Sequence, residues 1–281
     1  MINNILEETY VFEDINPTEA LKRTTHMAIG AHPDDLEIMA YNGIEECYNR
    51  KNMHFSGCVV TNGSNSARND IYKNYSNKEM IAVRKTEQIE AAKIGKYNAL
   101  TLFGYSSKEV KDKDNDALVI KLSELISIAN PEIIYTHNLA DKHSTHVAVS
   151  IKVIKAIRQL PLDKRPSKVL GCEIWRDLDW VNDEEKIYLD VSDKPNLSQS
   201  LLKVFDSQIS GGKRYDLATK GRQLANATYS SSHSVDEMKS ITYAIDLTPL
   251  IEDPNMDISD YITSYIDRFK EDVQIGIRQY I

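Results

Sequence analysis

Residues Met27 to Glu37 read Met-Ala-Ile-Gly-Ala-His-Pro-Asp-Asp-Leu-Glu, an apolar run that stops on one imidazole and two adjacent carboxylates. A short apolar run bounded by turn residues reads as a buried strand. A buried strand with polar groups at its carboxyl end places them at the crevice where open α/β sheets bind ligands. The stretch therefore predicts an α/β fold with its chemistry at one sheet edge, and its residue types are those that hold a divalent metal.

The flanking sequence agrees. A strand over His26 to Ala31, a helix over Asp35 to Arg50 and a strand over Phe55 to Thr61 make a βαβ start. The stretch from Asn62 to Asn77, rich in Asn, Ser and Gly, predicts a long loop leaving from the edge that carries His32. A helix over Glu79 to Gly95, a strand over Ala99 to Phe103, a helix over Ala117 to Ala129 stopped by Asn130-Pro131, and a strand over Glu132 to Thr136 follow. Then comes His137-Asn-Leu-Ala-Asp141-Lys-His143-Ser-Thr-His146, running into a helix whose apolar face is Val147, Ile151, Ile154 and Ile157. With Ser144 as N-cap, His143 lies beside the cap and His146 in the first turn, able to point to one place.

Past Lys168 the pattern predicts strands at Val169 to Trp175, Lys186 to Val191 and Ser240 to Ile245. Helices are predicted around Leu197 to Ile209 and Tyr215 to Ala227 and from Ile258 on. No linker or repeat interrupts the chain, so one domain is expected over 1–281: an outer lead-in at 1–24, a motif-bearing half at 25–165, and a half at 166–281 that completes the pocket.

Composition narrows the function. A net charge of −8, with no basic patch, argues against nucleic acid as a partner. No stretch has the ~20 apolar residues of a membrane span, and no signal peptide is visible, which points to a cytoplasmic protein. Cys47, Cys58 and Cys172 are odd in number and lack a Cys-x-x-Cys pair, so they are expected to be buried small hydrophobes.

A catalytic zinc site takes three protein ligands and keeps one position for water. His32, one of Asp34 and Asp35, and His146 supply that set. Adjacent residues on regular backbone do not both reach one ion, so the other aspartate is free to accept a proton. His143, protonated, would stabilise an oxyanion or protonate a leaving amine. These parts describe hydrolysis of an amide or ester.

At these residues the chain resembles the LmbE-like or PIG-L family of zinc-dependent de-N-acetylases, which remove acetyl from N-acetylglucosamine units of glycolipids, thiol cofactor precursors and antibiotics. The family's apolar strand ends in Ala-His-Pro-Asp-Asp, here Ala31 to Asp35. Its second motif is close to Asp-x-His-Pro-Asp-His, here Asp141 to His146. Arg84, Glu87, Ala91-Ala92, Gly95 and Ser207-Gln208 are further echoes, and the likeness covers about residues 26–230. By position it implies metal ligation by His32, Asp35 and His146, the base role for Asp34, a supporting role for His143, a Zn2+ cofactor with Fe2+ as another candidate, and a small amino-sugar substrate. It also implies a Rossmann-like three-layer fold with a mostly parallel central sheet, and leaves a homo-oligomer open. Three departures stand out: Leu36-Glu37 where Glu usually follows Asp-Asp, Thr145 where an Asp usually supports the first histidine of the second motif, and Gly63-Ser64 in place of Gly-Glu. If Asp141 replaces that missing Asp, it would restore a charged partner to His143.

Other residues are placed by the same reasoning. Arg68, in the long loop, is a candidate to bind sugar hydroxyls or a phosphate through its planar fork, with a solvated surface charge as the equal alternative. His26 and His54 are expected to be structural, and His137 and His233 to be exposed in loops, with a place at the pocket's edge as the alternative. Trp175 and Tyr229 are expected in the core, with stacking on a sugar as the alternative. Two other readings use the same residues. One is a family relative that binds a sugar or nucleotide conjugate without hydrolysis. The other is a non-haem iron oxygenase, whose triad is also two histidines and a carboxylate but normally sits in a β jelly roll.

Overall fold

Apolar residues on alternate positions of the predicted strands go to opposite faces of one sheet, and each face has its own core. In the computed structural model, which describes residues 2–281 with side chains from Ile5 onward, Met27 and Ile29 pack into one core and Ala28 into the other. Cys58 and Val60 oppose Val59 in the same way, and Ile134 opposes Tyr135. A sheet buried on both faces needs helices on both sides, the three-layer arrangement of doubly wound folds.

The strands are β1 (Thr9–Tyr10), β2 (His26–Gly30), β3 (Phe55–Thr61), β4 (Ala99–Tyr105), β5 (Ile133–His137), β6 (Lys168–Cys172), β7 (Ile187–Asp190) and β8 (Ile241–Asp246), in the order β1-β4-β3-β2-β5-β6-β8-β7. The run β4-β3-β2-β5-β6 is parallel, β1 and β8 add antiparallel to its two edges, and β7 pairs antiparallel with β8. From β2 the chain winds outward through β3 and β4, then returns to lay β5 on the other flank of β2. That reversal opens a crevice at the carboxyl ends of β2 and β5, where His32 to Asp35 and His137 to His146 emerge.

Several elements differ from expectation for local reasons. The helix expected over Asp35 to Arg50 is two segments, Asp35–Met39 and Tyr41–Cys47, broken at Ala40. The second segment lies close on β5, where a Cβ on Gly43 would sit 2.6 Å from the Tyr135 ring. Strand β6 ends at Cys172 because Glu173 turns its carboxylate onto backbone N–H groups, which sends Ile174 and Trp175 out of the sheet. The helix expected over Leu197 to Ile209 is likewise split, into Pro195–Lys203 and Asp206–Ile209. The lead-in is not merely an outer layer: it supplies edge strand β1, and Ile5, Ala20 and Leu21 are fully buried in the core. An additional helix, Ser107–Lys111, is held by a capping box of Ser106 and Glu109. All three cysteines are buried and unpaired, as expected. Among the described residues no helix is long and apolar enough to cross a membrane.

Candidate metal centre and cavity

The end of β2 turns sharply at Pro33, and Asp34 takes a left-handed backbone, φ 89°. Such a conformation is uncommon for a residue with a Cβ, though Asp tolerates it better than most, and it persists only where neighbours hold it. Here the helix Asn77–Ile94 does so. Its Gln88 Oε1 accepts the Asp34 N–H at 3.0 Å, and its Arg84 donates to the Pro33 carbonyl and to Asp34 Oδ2, the latter at 3.0 Å. Glu37 in turn fixes Gln88, whose Nε2 donates to Glu37 Oε1 at 2.8 Å. The twist at Asp34 makes the adjacent carboxylates diverge: Asp34 faces Arg84, and Asp35 faces the histidines.

Three ligand atoms from distant parts of the chain meet there. Nδ1 of His32 lies 3.2 Å from Oδ2 of Asp35 and 3.1 Å from Nε2 of His146, and the last two are 3.4 Å apart. Metal bonds of about 2.0–2.1 Å in tetrahedral geometry put ligand atoms about 3.3 Å apart, so this triangle has the dimensions of a zinc site. Nδ1 of His146 is 3.4 Å from Asp141 Oδ2, the carboxylate–histidine arrangement that sets the tautomer and orientation of a metal-binding imidazole.

Two more imidazoles crowd the triangle. His137 is fully buried rather than exposed in a loop. Its Nε2 lies 3.4 Å from Asp35 Oδ2 but accepts the Ala31 N–H at 2.9 Å, so that lone pair is spent. The His143 ring is 4.9 Å from that of His32 and 4.5 Å from that of His146, and its Nδ1 is buried without a protein partner. Ring nitrogens of His32, His143 and His146, and separately those of His137 and His146 with an Asp35 oxygen, lie close enough to share an ion. A buried polar atom without a partner signals a group that belongs there.

The electrostatics follow from burial and crowding. For Asp35 burial works upward, but the imidazoles of His146, His32 and His137 outweigh it and hold the carboxyl well below its usual range. Burial pushes Asp34 up to about 6, with Arg84 pulling against it. Burial would lower His146, yet Asp35 and Asp141 leave it raised. His143 is pushed down to about 4 by burial and by its neighbours His146 and His32. The protonated His143 expected from the sequence is therefore not what this environment favours. Nor does Asp141 serve as that ring's charged partner: its carboxylate takes the His146 ring, the His143 backbone N–H at 2.9 Å and the Trp175 N–H at 3.1 Å.

A cavity of about 460 Å³ opens over the cluster. His32, Asp34, Asp35 and His143 form part of its floor, and Trp175, Lys213 and Tyr215 are among its walls. Trp175 is thus at the cavity, whereas Tyr229 is 80% exposed in solvent. Arg68 is not among the lining residues, because its Nη2 closes the loop onto the Ser64 carbonyl at 2.7 Å and Asn77 Oδ1 at 2.6 Å. His26 and His54 are structural at the strand starts, and His233 is exposed. Buried Thr145 lines the cavity beside His143. Gln88, Lys213 and Tyr215 were not picked out from the sequence, since none belongs to a motif and each reaches the site only through packing.

Residues 27–157 match the family model described as PIG-L: GlcNAc-PI de-N-acetylase. Over that stretch the chain is similar to the PIG-L/LmbE-like family. The chain is 26% identical over 190 residues to the probable N-acetyl-alpha-D-glucosaminyl L-malate deacetylase 2 of Bacillus subtilis (strain 168), covering 66% of this chain and 83% of that protein. Its fold is shared with N,N'-diacetylchitobiose deacetylase from Pyrococcus horikoshii, at TM-score 0.61 and 14% identity over 89% of this chain and 100% of the other. It is shared as well with the 4-carboxy-2-hydroxymuconate hydratase of Pseudomonas putida, at TM-score 0.59 and 15% identity over 80% and 96%. One fold thus carries two reaction types, and the residues of the site must decide between them.

Proposed function

We propose that this PIG-L/LmbE-like protein is a metal-dependent hydrolase that removes acetyl from an N-acetylglucosamine-type amino sugar or its conjugate, with His32, Asp35 and His146 holding zinc. The observation that carries the reading is the triangle of His32 Nδ1, Asp35 Oδ2 and His146 Nε2, with a second carboxylate beside it that faces elsewhere. A divalent ion held there would polarise the amide carbonyl and lower the pKa of water from 15.7 to about 7.

Asp34 is the group placed to move the proton. Its Oδ2 is held by Arg84, which leaves Oδ1 to accept a proton from the attacking water and hand it to the departing nitrogen. Water adds to the amide carbon, the C–N bond breaks, and acetate and a free amine result. His143, neutral at pH 7, acts as a hydrogen-bond donor to the developing oxyanion and not as a cationic acid. Thr145 cannot supply the charge that would make it one.

The test is metal analysis together with acetate release from a panel of N-acetylglucosamine conjugates. About one zinc per chain is expected. Asp34→Ala should keep the metal and lose about 10²–10⁴-fold in kcat, and His146→Ala should lose the metal. Bound zinc with no acetate release across the panel would favour a non-hydrolytic binding protein, the reading that Thr145 supports. Hydration of a carbon–carbon double bond in place of amide cleavage would overturn the proposal.

A further inference from the structure

The helix Ile258–Arg278 is anchored to the molecule in its first half and stands clear of it in its second. Ile262 and Tyr265 are buried in the core, Arg268 Nε lies 2.6 Å from Glu185 Oε1, and the Phe269 ring centroid is 6.3 Å from that of Trp180. From Lys270 onward every residue is exposed. Yet seven of the fifteen large hydrophobic side chains exposed among the described residues fall within Ile266 to Ile281, so apolar surface is concentrated where the helix has least to pack on. Scattered apolar residues need no explanation, but a contiguous set marks a contact surface.

Six of these positions are ordered, not scattered. At 3.6 residues per turn, Ile266, Phe269, Ile277 and Tyr280 all fall within about 40° of Val273 around the axis, and they continue the line of buried Ile262. Lys270 and Asp272 border the stripe, and Ile275 points from the opposite side. A stripe one seam wide belongs to a helix that packs on another helix. Gly276 supports the same view. It weakens a helix interior, and a Cβ built on it meets nothing within 4 Å, so no contact inside the molecule accounts for the missing side chain.

We propose that this stripe is the seam of an antiparallel pairing between two copies of this chain. From Ile266 to Tyr280 its steps are three, four, four and three residues, which read the same in both directions about Val273. A two-fold axis there sets Val273 on its own copy, Phe269 on Ile277 and Ile266 on Tyr280, an isologous contact. Gly276 then lies beside Phe269 of the second copy and leaves room for its ring.

The area suits a reversible dimer. The five side chains from Ile266 to Tyr280 leave open the equivalent of two to three whole ones, roughly 400 Å² per copy at about 150 Å² each. Two copies would bury about 800 Å² there and, with Lys270, Gly276 and Ile281 at the borders, about 1,200 Å² in all, the lower end for a specific interface. The expected Kd is about micromolar or weaker. Lys270 lies beside Gln274 of the second copy and Asp272 beside its own counterpart, so no ion pair crosses the seam and added salt should not weaken it. A lipid surface fits less well, because helices that lie on one carry Lys and Arg on the polar face, whereas Asp260, Asp267, Glu271 and Asp272 outnumber Arg268, Lys270 and Arg278 here.

Sedimentation velocity on the full chain, from about 1 to about 200 μM, reads the association. The 32.0 kDa chain should move toward twice that mass as concentration rises. Val273→Glu and Ile277→Glu, each burying an unpaired charge in the seam, should raise the Kd about tenfold or more. Ile275→Glu, on the far side of the same helix, should leave it unchanged. All three native cysteines are buried, so one new exposed thiol can be followed by itself. Under mild oxidation Val273→Cys should be trapped as a covalent dimer. Ile277→Cys should not be, since the antiparallel register sets it about 12 Å along the axis from its own copy. Three results overturn the proposal: a chain that stays at 32.0 kDa throughout, a dimer that Val273→Glu leaves intact, or trapping of Ile277→Cys, which would mean parallel helices. A monomer that binds phosphatidylcholine vesicles containing phosphatidylserine, and loses that binding in Val273→Glu, overturns it as well and assigns the stripe to a membrane surface.

Discussion

Asp34 and Asp35 show how one dihedral angle gives neighbouring, chemically identical side chains two different surroundings. The left-handed conformation at Asp34 sends its carboxylate to Arg84 while Asp35 turns to the histidines. Gln88 helps Arg84 to hold that conformation, joining the Asp34 N–H to Glu37 across a buried contact. Gln88→Leu removes both hydrogen bonds and leaves buried partners unmatched, at a cost of about 1–3 kcal/mol. The expected outcome is a lowered Tm together with a fall in kcat at unchanged zinc content, because the proposed ligands are other residues. Calorimetry, metal analysis and steady-state kinetics on the same preparation check this. Unaltered kcat in a folded, zinc-loaded variant would mean that Asp34 keeps its place without Gln88.

Packing between elements sets how closely the polar turn approaches the sheet. Two glycines make separable contributions. At Gly30, the last residue of β2, an added Cβ would stand 3.0 Å from Asp35 Cβ and 2.9 Å from the Leu36 side chain, so Gly30→Ala presses directly on a proposed ligand. At Gly43 the added Cβ would meet the Tyr135 ring at 2.6 Å, away from the cluster. Both substitutions overpack and should cost about 1–3 kcal/mol. Zinc affinity should fall in Gly30→Ala and hold in Gly43→Ala, as measured by competition with a chromophoric chelator. Equal zinc affinities in the two variants would show that Leu36 relaxes without moving Asp35.

At the scale of the molecule, the second half of the chain completes one sheet begun by the first, and Glu173 is a knot within that second half. It sits at the end of β6, takes the backbone of β8 through Tyr243, and takes Asn226 from the helix Tyr215–Tyr229. Burial raises its pKa against the pull of those donors and of the nearby Arg222 charge. The folded chain thus keeps a proton that the unfolded chain gives up earlier. As pH rises past the ordinary carboxylate range the unfolded state binds fewer protons than the folded one, and stability falls until the folded value is passed. Glu173→Gln cannot titrate. The stability advantage of wild type over this variant should therefore shrink across that window, which urea unfolding at a series of pH values will read. A pH-independent difference would mean that the donors and Arg222 cancel the effect of burial, and an advantage that grows with pH would mean that they outweigh it.

Much of the site was written in the sequence because its motifs are local. The apolar run before His32 encodes a buried strand, and the polar residues after it must then lie at the strand's carboxyl end. His143 and His146 are spaced by one turn at a helix start, which turns them toward a common point whatever the surrounding fold. The sequence by itself also determined the strand–helix alternation from His26 to Arg158, since periodicity and breakers act within an element. What it did not determine depends on which faces meet. His137 looked like an exposed loop residue and is fully buried, because β5 lies against β2 at the reversal of strand order. Arg68 looked like a ligand-binding fork and instead closes its own loop, while Lys213 and Tyr215, in no motif, wall the cavity. Local pattern fixes each element's own structure. Only tertiary packing decides which charges end up facing one another, because that depends on distances between residues far apart in the chain.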